Sequence, residues 1–222
     1  MSIIASDFHG NLKKCKAFLN YKPEELHIFA GDAVDSFNKS PDEQLKVLKL
    51  LVESENTILL YGNHELSYHR AYRMECSGRH YAGMQTFPEL VANKKWKIAH
   101  VVDGYLITHA GVSTKHAAGY KKIDNLAKRL NKDLVRNSNG IFDVGHCRGG
   151  FKPSGGPLWY DFRYDYDGLA KQFNQVFGHC SLDEPWEDKG DNYHHVCVNS
   201  HDSLNDLWIF DTSTKSIEII KG

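Results

Sequence analysis

No stretch of about 18 apolar residues occurs in this 222-residue chain, so no membrane-spanning helix is expected. No CxxC pair occurs either, and the cysteines at 15, 76, 147, 180 and 197 are odd in number. That pattern indicates neither a disulfide framework nor a structural zinc knuckle, and a reducing cytoplasm is the expected compartment. The opening Met1-Ser2-Ile3-Ile4-Ala5 has no basic segment and no long apolar one, so no cleaved leader is expected. Charge bias is missing as well: 27 basic residues stand against 28 acidic ones, net −1. Such balance gives no global field for a nucleic acid or a membrane surface. Repeats, low-complexity tracts and linkers are absent. With 41% hydrophobic residues the chain can bury a substantial core, and its length suits one domain, residues 1–222, or a domain with an inserted cap.

What the chain does have is five short clusters of Asp, His, Asn and Gly. They are Ser6-Asp7-Phe8-His9-Gly10-Asn11, Gly31-Asp32-Ala33-Val34-Asp35, Gly62-Asn63-His64-Glu65, His109-Ala110-Gly111 and Gly178-His179. Each sets oxygen or imidazole donors beside a glycine that lets the backbone turn sharply. The periodicity predicts strands at 3–5, 26–30 and 57–61, with helices between them. Asn11 is placed to cap the first helix, and Ser40-Pro41-Asp42-Glu43 is a capping box for the second. The order is β-α-β-α-β with a cluster after each strand, and ligands of parallel sheets gather beyond the carboxyl ends of strands. Further strands are expected at 97–102, 105–108 and 176–177, a helical stretch at 112–136 and a long loop at 137–157. Three closing strands near 194–199, 206–211 and 215–220 are expected to run antiparallel.

Two residues apart on an extended segment, Asp7 and His9 would face the same side and could share one ion. Asp32 has two oxygens and could bridge two. The expected sets are Asp7, His9 and Asp32 for one cation, and Asp32, Asn63, His109 and His179 for the other. Two divalent cations offset phosphate charge and acidify water, so hydrolysis of a phosphate ester is the first expectation. His64, beside Asn63, would protonate the leaving oxygen, and Asp35 would hold one of its ring nitrogens. Arginine grips phosphoryl groups with a planar fork; Arg163 is the first candidate, with Arg70 and Arg148 behind it. His146-Cys147 mimics Gly178-His179, but the strand before Gly178 favours His179. His194 and His195 are expected in ordinary roles, and Trp159 and Tyr160 in packing.

The ordered set Asp-x-His, Gly-Asp-x-x-Asp, Gly-Asn-His-Glu, His-Ala-Gly, Gly-His resembles the calcineurin-like metallophosphoesterase superfamily. More narrowly, it is similar to the phosphoprotein-phosphatase branch, which includes serine/threonine phosphatases and diadenosine tetraphosphatases. Residues 62–76 (GNHELSYHRAYRMEC) and Gly156-Pro157-Leu158-Trp159 add to the likeness. The resemblance implies an α/β fold, a β-sandwich flanked by helices, with 112–175 as a variable rim. It implies two divalent ions, manganese first and iron or zinc as alternatives. By motif it places ligands on Asp7, His9, Asp32, Asn63, His109 and His179, the acid on His64 and its partner on Asp35. It implies phosphorylated proteins, with small phosphate esters or dinucleoside polyphosphates as alternative substrates; a metal-binding scaffold would be the non-enzymatic alternative. Four places depart from the pattern. Ser6 replaces a usual glycine, Ser36-Phe37 replace Arg-Gly, Asp161 fills an arginine slot, and Cys180-Ser181 follow Gly-His with no His-x-His.

Overall fold

The computed structural model of the chain describes residues 1–69, 75–93, 95–137, 140–201 and 204–221. In chain order, β1 (Ser2–Ala5), α1 (Leu12–Asn20), β2 (Leu26–Phe29), α2 (Pro41–Glu53) and β3 (Thr57–Leu60) alternate as expected. Asn11 caps α1 by accepting from the amides of Lys13 and Lys14. Ser40 and Glu43 cap α2 reciprocally. Then come α3 (Asn63–Tyr68), the single turns α4 (Gly83–Thr86) and α5 (Pro88–Val91), and the strands β4 (Trp96–Lys97), β5 (Ala99–Val102) and β6 (Tyr105–Thr108). The turn α6 (Thr114–Ala117) precedes α7 (Ile123–Val135), and β7 (Asn174–Phe177), β8 (Trp186–Gly190), β9 (Tyr193–Cys197), β10 (Leu207–Asp211) and β11 (Ser216–Ile220) complete the chain.

Two mixed sheets form, in the orders β11-β10-β1-β2-β3-β4 and β5-β6-β7-β9-β8. Strand side chains alternate between faces. Ile4, Ile28, Leu60 and Phe210 of the first sheet meet Ile107, Val176 and Val196 of the second in one buried layer. The opposite face of the first sheet, with Ile3, Phe29 and Leu59, packs on Cys15 and Phe18 of α1 and Val47 and Leu51 of α2. Leu126 and Leu130 of α7 pack in the same buried cluster as Leu106 of the second sheet. The result is a sandwich of two sheets flanked by helices. The strands β1, β2 and β3 are parallel, as are β6, β7 and β9.

Three expectations are corrected. The strand read at 97–102 is two strands in different sheets, because Asn131 of α7 takes the amides of Ile98 and Ala99 on its Oδ1 and turns the chain between them. The helical stretch at 112–136 is broken around Gly119, whose φ of +83° no helix accommodates. The closing strands are not one antiparallel run: β9 pairs with β7 and β8 in the second sheet, and only β10 and β11 pair with each other in the first. Among the described residues, no helix is long and apolar enough to cross a membrane.

Candidate metal centre and phosphate cleft

All five clusters meet at the carboxyl ends of β1, β2, β3, β6 and β7. Backbone bonds lace the loops together: Asp7 N–H to Gly31 O (2.8 Å), His9 N–H to Asp32 O (3.0 Å) and Gly178 N–H to His109 O (2.7 Å). The reason Asp7 and His9 approach one point is not the expected extended segment. Both lie in the left-handed region, at φ +57° and +41°, as do Asp32 (+63°), Asp35 (+65°) and His179 (+64°). Such conformations cost about 1–3 kcal/mol each. They persist because the sandwich beneath is rigid, each fully buried core side chain contributing about 1.5–3 kcal/mol. Glycine is needed where loops touch: a Cβ on Gly62 would overlap Asp32 Oδ1, and one on Gly178 would overlap Asp7 Oδ2.

Two groups of donors result, and Asp32 belongs to both. Asp7, His9 and Asp32 form one; Asp32, His109 and His179 form the other, each with ligand atoms within 4.8 Å of one another. His109 Nε2 lies 3.2 Å from Asp32 Oδ2, 3.0 Å from Asn63 Oδ1 and 3.1 Å from His179 Nδ1. His9 Nε2 is 3.9 Å from both Asp7 Oδ1 and Asp32 Oδ2. The outer ring nitrogens fix the tautomers. His109 Nδ1–H donates to Ala30 O (2.9 Å), and His9 Nδ1–H to Val34 O (2.8 Å). Each Nε2 then presents a lone pair inward. An imidazole nitrogen, an amide oxygen and a carboxylate oxygen, all acceptors, converge on His109 Nε2 and repel one another unless a positive charge stands among them. The buried Asp7 Oδ1 has no hydrogen-bond partner among the described residues either. The residues fit divalent cations, and the nitrogen and oxygen donors, with no thiolate, fit manganese, iron or zinc.

Electrostatics agree with that geometry. Burial opposes the charge of Asp32, but His109 and His64 hold its carboxyl well below the usual range. Burial raises Asp7, whose neighbour Asp32 adds to the effect. Burial lowers His179, and His109 beside it pushes the same way. For His109, burial is outweighed by Asp32, which lifts it to about 9: without a cation, a proton does the same work.

His64 Nδ1 is 2.9 Å from Asp35 Oδ2, and its Nε2 is 3.8 Å from Asp32 Oδ2. Asp35 is buried, and its other oxygen accepts from the Tyr68 hydroxyl. The sequence passed over two residues that arrange this centre. Glu65, fully buried, accepts three backbone amides, from Asp32 (2.8 Å), Ala33 (2.6 Å) and Gly62 (2.9 Å), and so ties the β2 loop to the β3 loop. Cys76 Sγ accepts from Asn63 Nδ2 (3.3 Å), which leaves Asn63 Oδ1 facing His109. A buried acid inside Gly-Asn-His-Glu was the available signal for Glu65; nothing in the sequence pointed to Cys76.

A cavity of about 350 Å³ lies over the cluster, lined by His9, Asp32, Asn63, His64, His179, Arg148 and Trp159 among others. Of the three arginine candidates, Arg148 lines it. Arg163 does not: its fork holds Asp161 (Nε to Oδ1 3.0 Å, Nη2 to Oδ2 2.9 Å) and its Nη1 donates to Ser181 O. Arg70 lies outside the described residues. Arg148 Nη2 also reaches Asp161 Oδ2, at 2.8 Å, and its Nε has no acceptor among the described residues. A second cavity of about 510 Å³ adjoins the first through Glu75, Arg148 and Trp159, walled by Phe142, Val144, Phe151 and Lys152. His146 is exposed and lines neither cavity. His194 bonds Tyr105 and Glu187, and His195 bonds backbone carbonyls at 170 and 173, both in packing roles. Tyr160 is buried, whereas the Trp159 ring stands nearly perpendicular to that of His179 (centroids 5.9 Å apart) and borders both cavities.

Several solved structures share this fold. A cold-active protein-tyrosine phosphatase of a psychrophilic Shewanella species is 15% identical, over 99% of this chain and 80% of that one, with a TM-score of 0.60. A protein serine/threonine phosphatase from Saccharomyces cerevisiae, similar to human phosphatase PP5, is 14% identical over 100% and 79%, with a TM-score of 0.59. A diadenosine tetraphosphatase described as putative is 15% identical over 100% and 93%, with a TM-score of 0.57. Comparison with curated proteins gives no match. The model of the calcineurin-like phosphoesterase family matches residues 2–218. The chain therefore belongs to that family and is a metal-dependent phosphoester hydrolase.

Proposed function

We propose that the enzyme removes phosphate from alkyl monoesters, phosphoserine and phosphothreonine side chains foremost, with small phosphate esters as the wider class. The observation that carries this reading is the His64–Asp35 pair set beside the Asp32 cluster. Alkoxides are poor leaving groups and need a proton; phosphoanhydride and nitrophenyl leaving groups do not. Burial works against the charge on His64, but in the absence of cations Asp32 and the hydrogen bond to Asp35 lift it to about 9, and the Asp35 contact favours the protonated ring.

Asp7, His9 and Asp32 would hold one cation, and Asp32, Asn63, His109 and His179 the other; manganese suits this donor set. When bound, the pair offsets phosphoryl charge and acidifies water. Arg148 is assigned to the phosphoryl oxygens, because it alone of the two described candidates borders the cavity. Substrate choice is assigned to residues 112–175, which supply Arg148, Trp159 and most of the second cavity's wall. That cavity, with Phe142, Phe151 and Trp159 around Lys152 and Arg148, supports a second reading, cleavage of nucleotides or dinucleoside polyphosphates. Five unpaired cysteines fit a cytoplasmic setting.

Turnover of nitrophenyl phosphate with manganese, and its loss in EDTA, tests the hydrolase reading; metal-loaded protein that cleaves no monoester would sink it. Phosphoserine peptides assayed beside diadenosine tetraphosphate then decide between the two substrate readings. A second expectation concerns metal uptake. A proton on His109 competes with the ion at every pH below about 9. Manganese affinity should therefore rise roughly tenfold per pH unit from 6 to 8, with proton release on binding. Calorimetry in buffers of different ionisation enthalpy measures both, and a flat affinity would count against His109 as a ligand.

A further inference from the structure

Arg148 comes from a loop that closes on itself through a parallel bridge between Gly145 and Lys152. The His146 amide donates to Lys152 O (2.9 Å), Lys152 N–H to Val144 O (3.2 Å) and Gly150 N–H to Gly145 O (3.0 Å). This loop is anchored to the segment after Trp159 through two acids. Asp165 Oδ1 accepts from Cys147 Sγ–H of the loop (3.0 Å), and its Oδ2 accepts from the amides of Gly155 and Asp161, both at 2.9 Å. Asp161, itself buried, receives Arg148 Nη2 on Oδ2 and the Arg163 fork on both oxygens; the Arg163 amide also donates to Oδ1 (3.1 Å).

A lone carboxylate beside Arg148 would hold its guanidinium still but would also neutralise it. Here a second cation shares the carboxylate. The group of two arginines and one aspartate carries a net charge of +1, so Arg148 is fixed in place and its charge remains available. Its Nε, buried and without an acceptor among the described residues, is an unsatisfied donor of the kind that needs explanation. From these contacts we infer that Asp161 and Arg163 are positioning residues that mount Arg148 over the cation site: Asp161 sets the direction of its fork, and Arg163 cancels the carboxylate's charge. The inference deepens the phosphate-holding role proposed for Arg148 and rests on it. It also accounts for two of the departures from the family pattern, since the phosphate arginine of this chain would come from the loop at 144–152.

The test reads binding of inorganic phosphate to the manganese-loaded protein by calorimetry, which needs no turnover. Asp161→Asn should weaken phosphate by about tenfold, although it adds net positive charge. Arg163→Gln should weaken it by about threefold, in line with a partly exposed ion pair. Both losses should vanish in an Arg148→Gln background, because neither residue acts on phosphate except through Arg148. Manganese affinity, measured alongside, should stay unchanged in all three variants. Tighter or unaltered phosphate binding in Asp161→Asn would overturn the inference, and so would losses that add to that of Arg148→Gln. Should Asp161→Asn not fold, the pairing of Arg163→Gln with Arg148→Gln decides the question. Failure of monoester turnover in the wild type would remove the proposed activity while leaving a coupled phosphate site intact; uncoupled variants with normal turnover would do the reverse.

Discussion

His64→Asn is expected to lower kcat on a phosphoserine peptide by about 10²–10⁴-fold, while nitrophenyl phosphate loses no more than about tenfold. The asymmetry follows from the leaving group. Nitrophenolate departs without a proton at neutral pH, so it gains little from an acid in the cleft; a serine alkoxide gains the full effect. Asn is smaller than the ring but can place its amide where Nδ1 faces Asp35, so the donors around Asp32 keep their places. Asp35→Asn should show a smaller version of the same selectivity, about tenfold, because it leaves the ring present but removes the carboxylate 2.9 Å from Nδ1. The pH profile adds a second check. His64 must be protonated to act, so the alkaline limb of kcat on the peptide belongs to it and should disappear in His64→Asn. Cations beside Asp32 would draw that limb below the value of about 9 set in their absence. Equal losses on both substrates would show that His64 serves only to hold the cleft together.

The parts of this site that could be read from the sequence are those in which local chemistry and strand order coincide. Asp7, Asp32, Asn63, His109 and His179 each follow a short apolar strand and lie beside or within two or three residues of a glycine, so placing the strands placed the donors. The caps at Asn11 and Ser40 were legible for the same reason, since a cap is a contact between near neighbours. The misreadings involve contacts made at long range. Nothing near Ile98 announces that Asn131 of α7 will divide 97–102 between two sheets. The strand β8, Trp-Glu-Asp-Lys-Gly, lies at a sheet edge and is mostly solvent-facing, so it carries no apolar alternation to detect. In sequence Arg163 lies nearer Trp159 than Arg148 does. That same nearness puts its fork on Asp161, two residues away, and leaves the cavity to an arginine from the long loop at 137–157. The left-handed residues were also unreadable: an Asp at φ +63° is set by the loops that enclose it, and its own identity merely tolerates the conformation.

Glu65→Ala should remove both stability and metal response, although Glu65 itself is placed to hold neither cation. Its carboxylate is fully buried and serves the amides of Asp32, Ala33 and Gly62. Deleting it leaves three buried N–H groups without an acceptor, each costing about 1–3 kcal/mol, so a loss of about 3 kcal/mol or more is expected in urea unfolding. The same amides fix the turns that carry Asp32 and Asn63. Once they are released, the two loops are free to part, and the repulsion among the converging acceptors favours parting. Manganese should then no longer raise the unfolding midpoint, since an ion that binds only the native site stabilises in proportion to its affinity for that site. Glu65→Gln separates the two effects. The amide oxygen can keep some of the N–H groups, but its NH₂ must face another donor, so the loops stay near each other with altered turns. Burial, reinforced by Asp32, already raises the Glu65 carboxyl to about 7 in the absence of cations, so replacing its charge should alter stability in EDTA by less than the alanine change does. Metal affinity should still fall by about 10–100-fold. If Glu65→Ala keeps the full manganese-dependent rise in its midpoint, the two loops are held together by something other than this carboxylate.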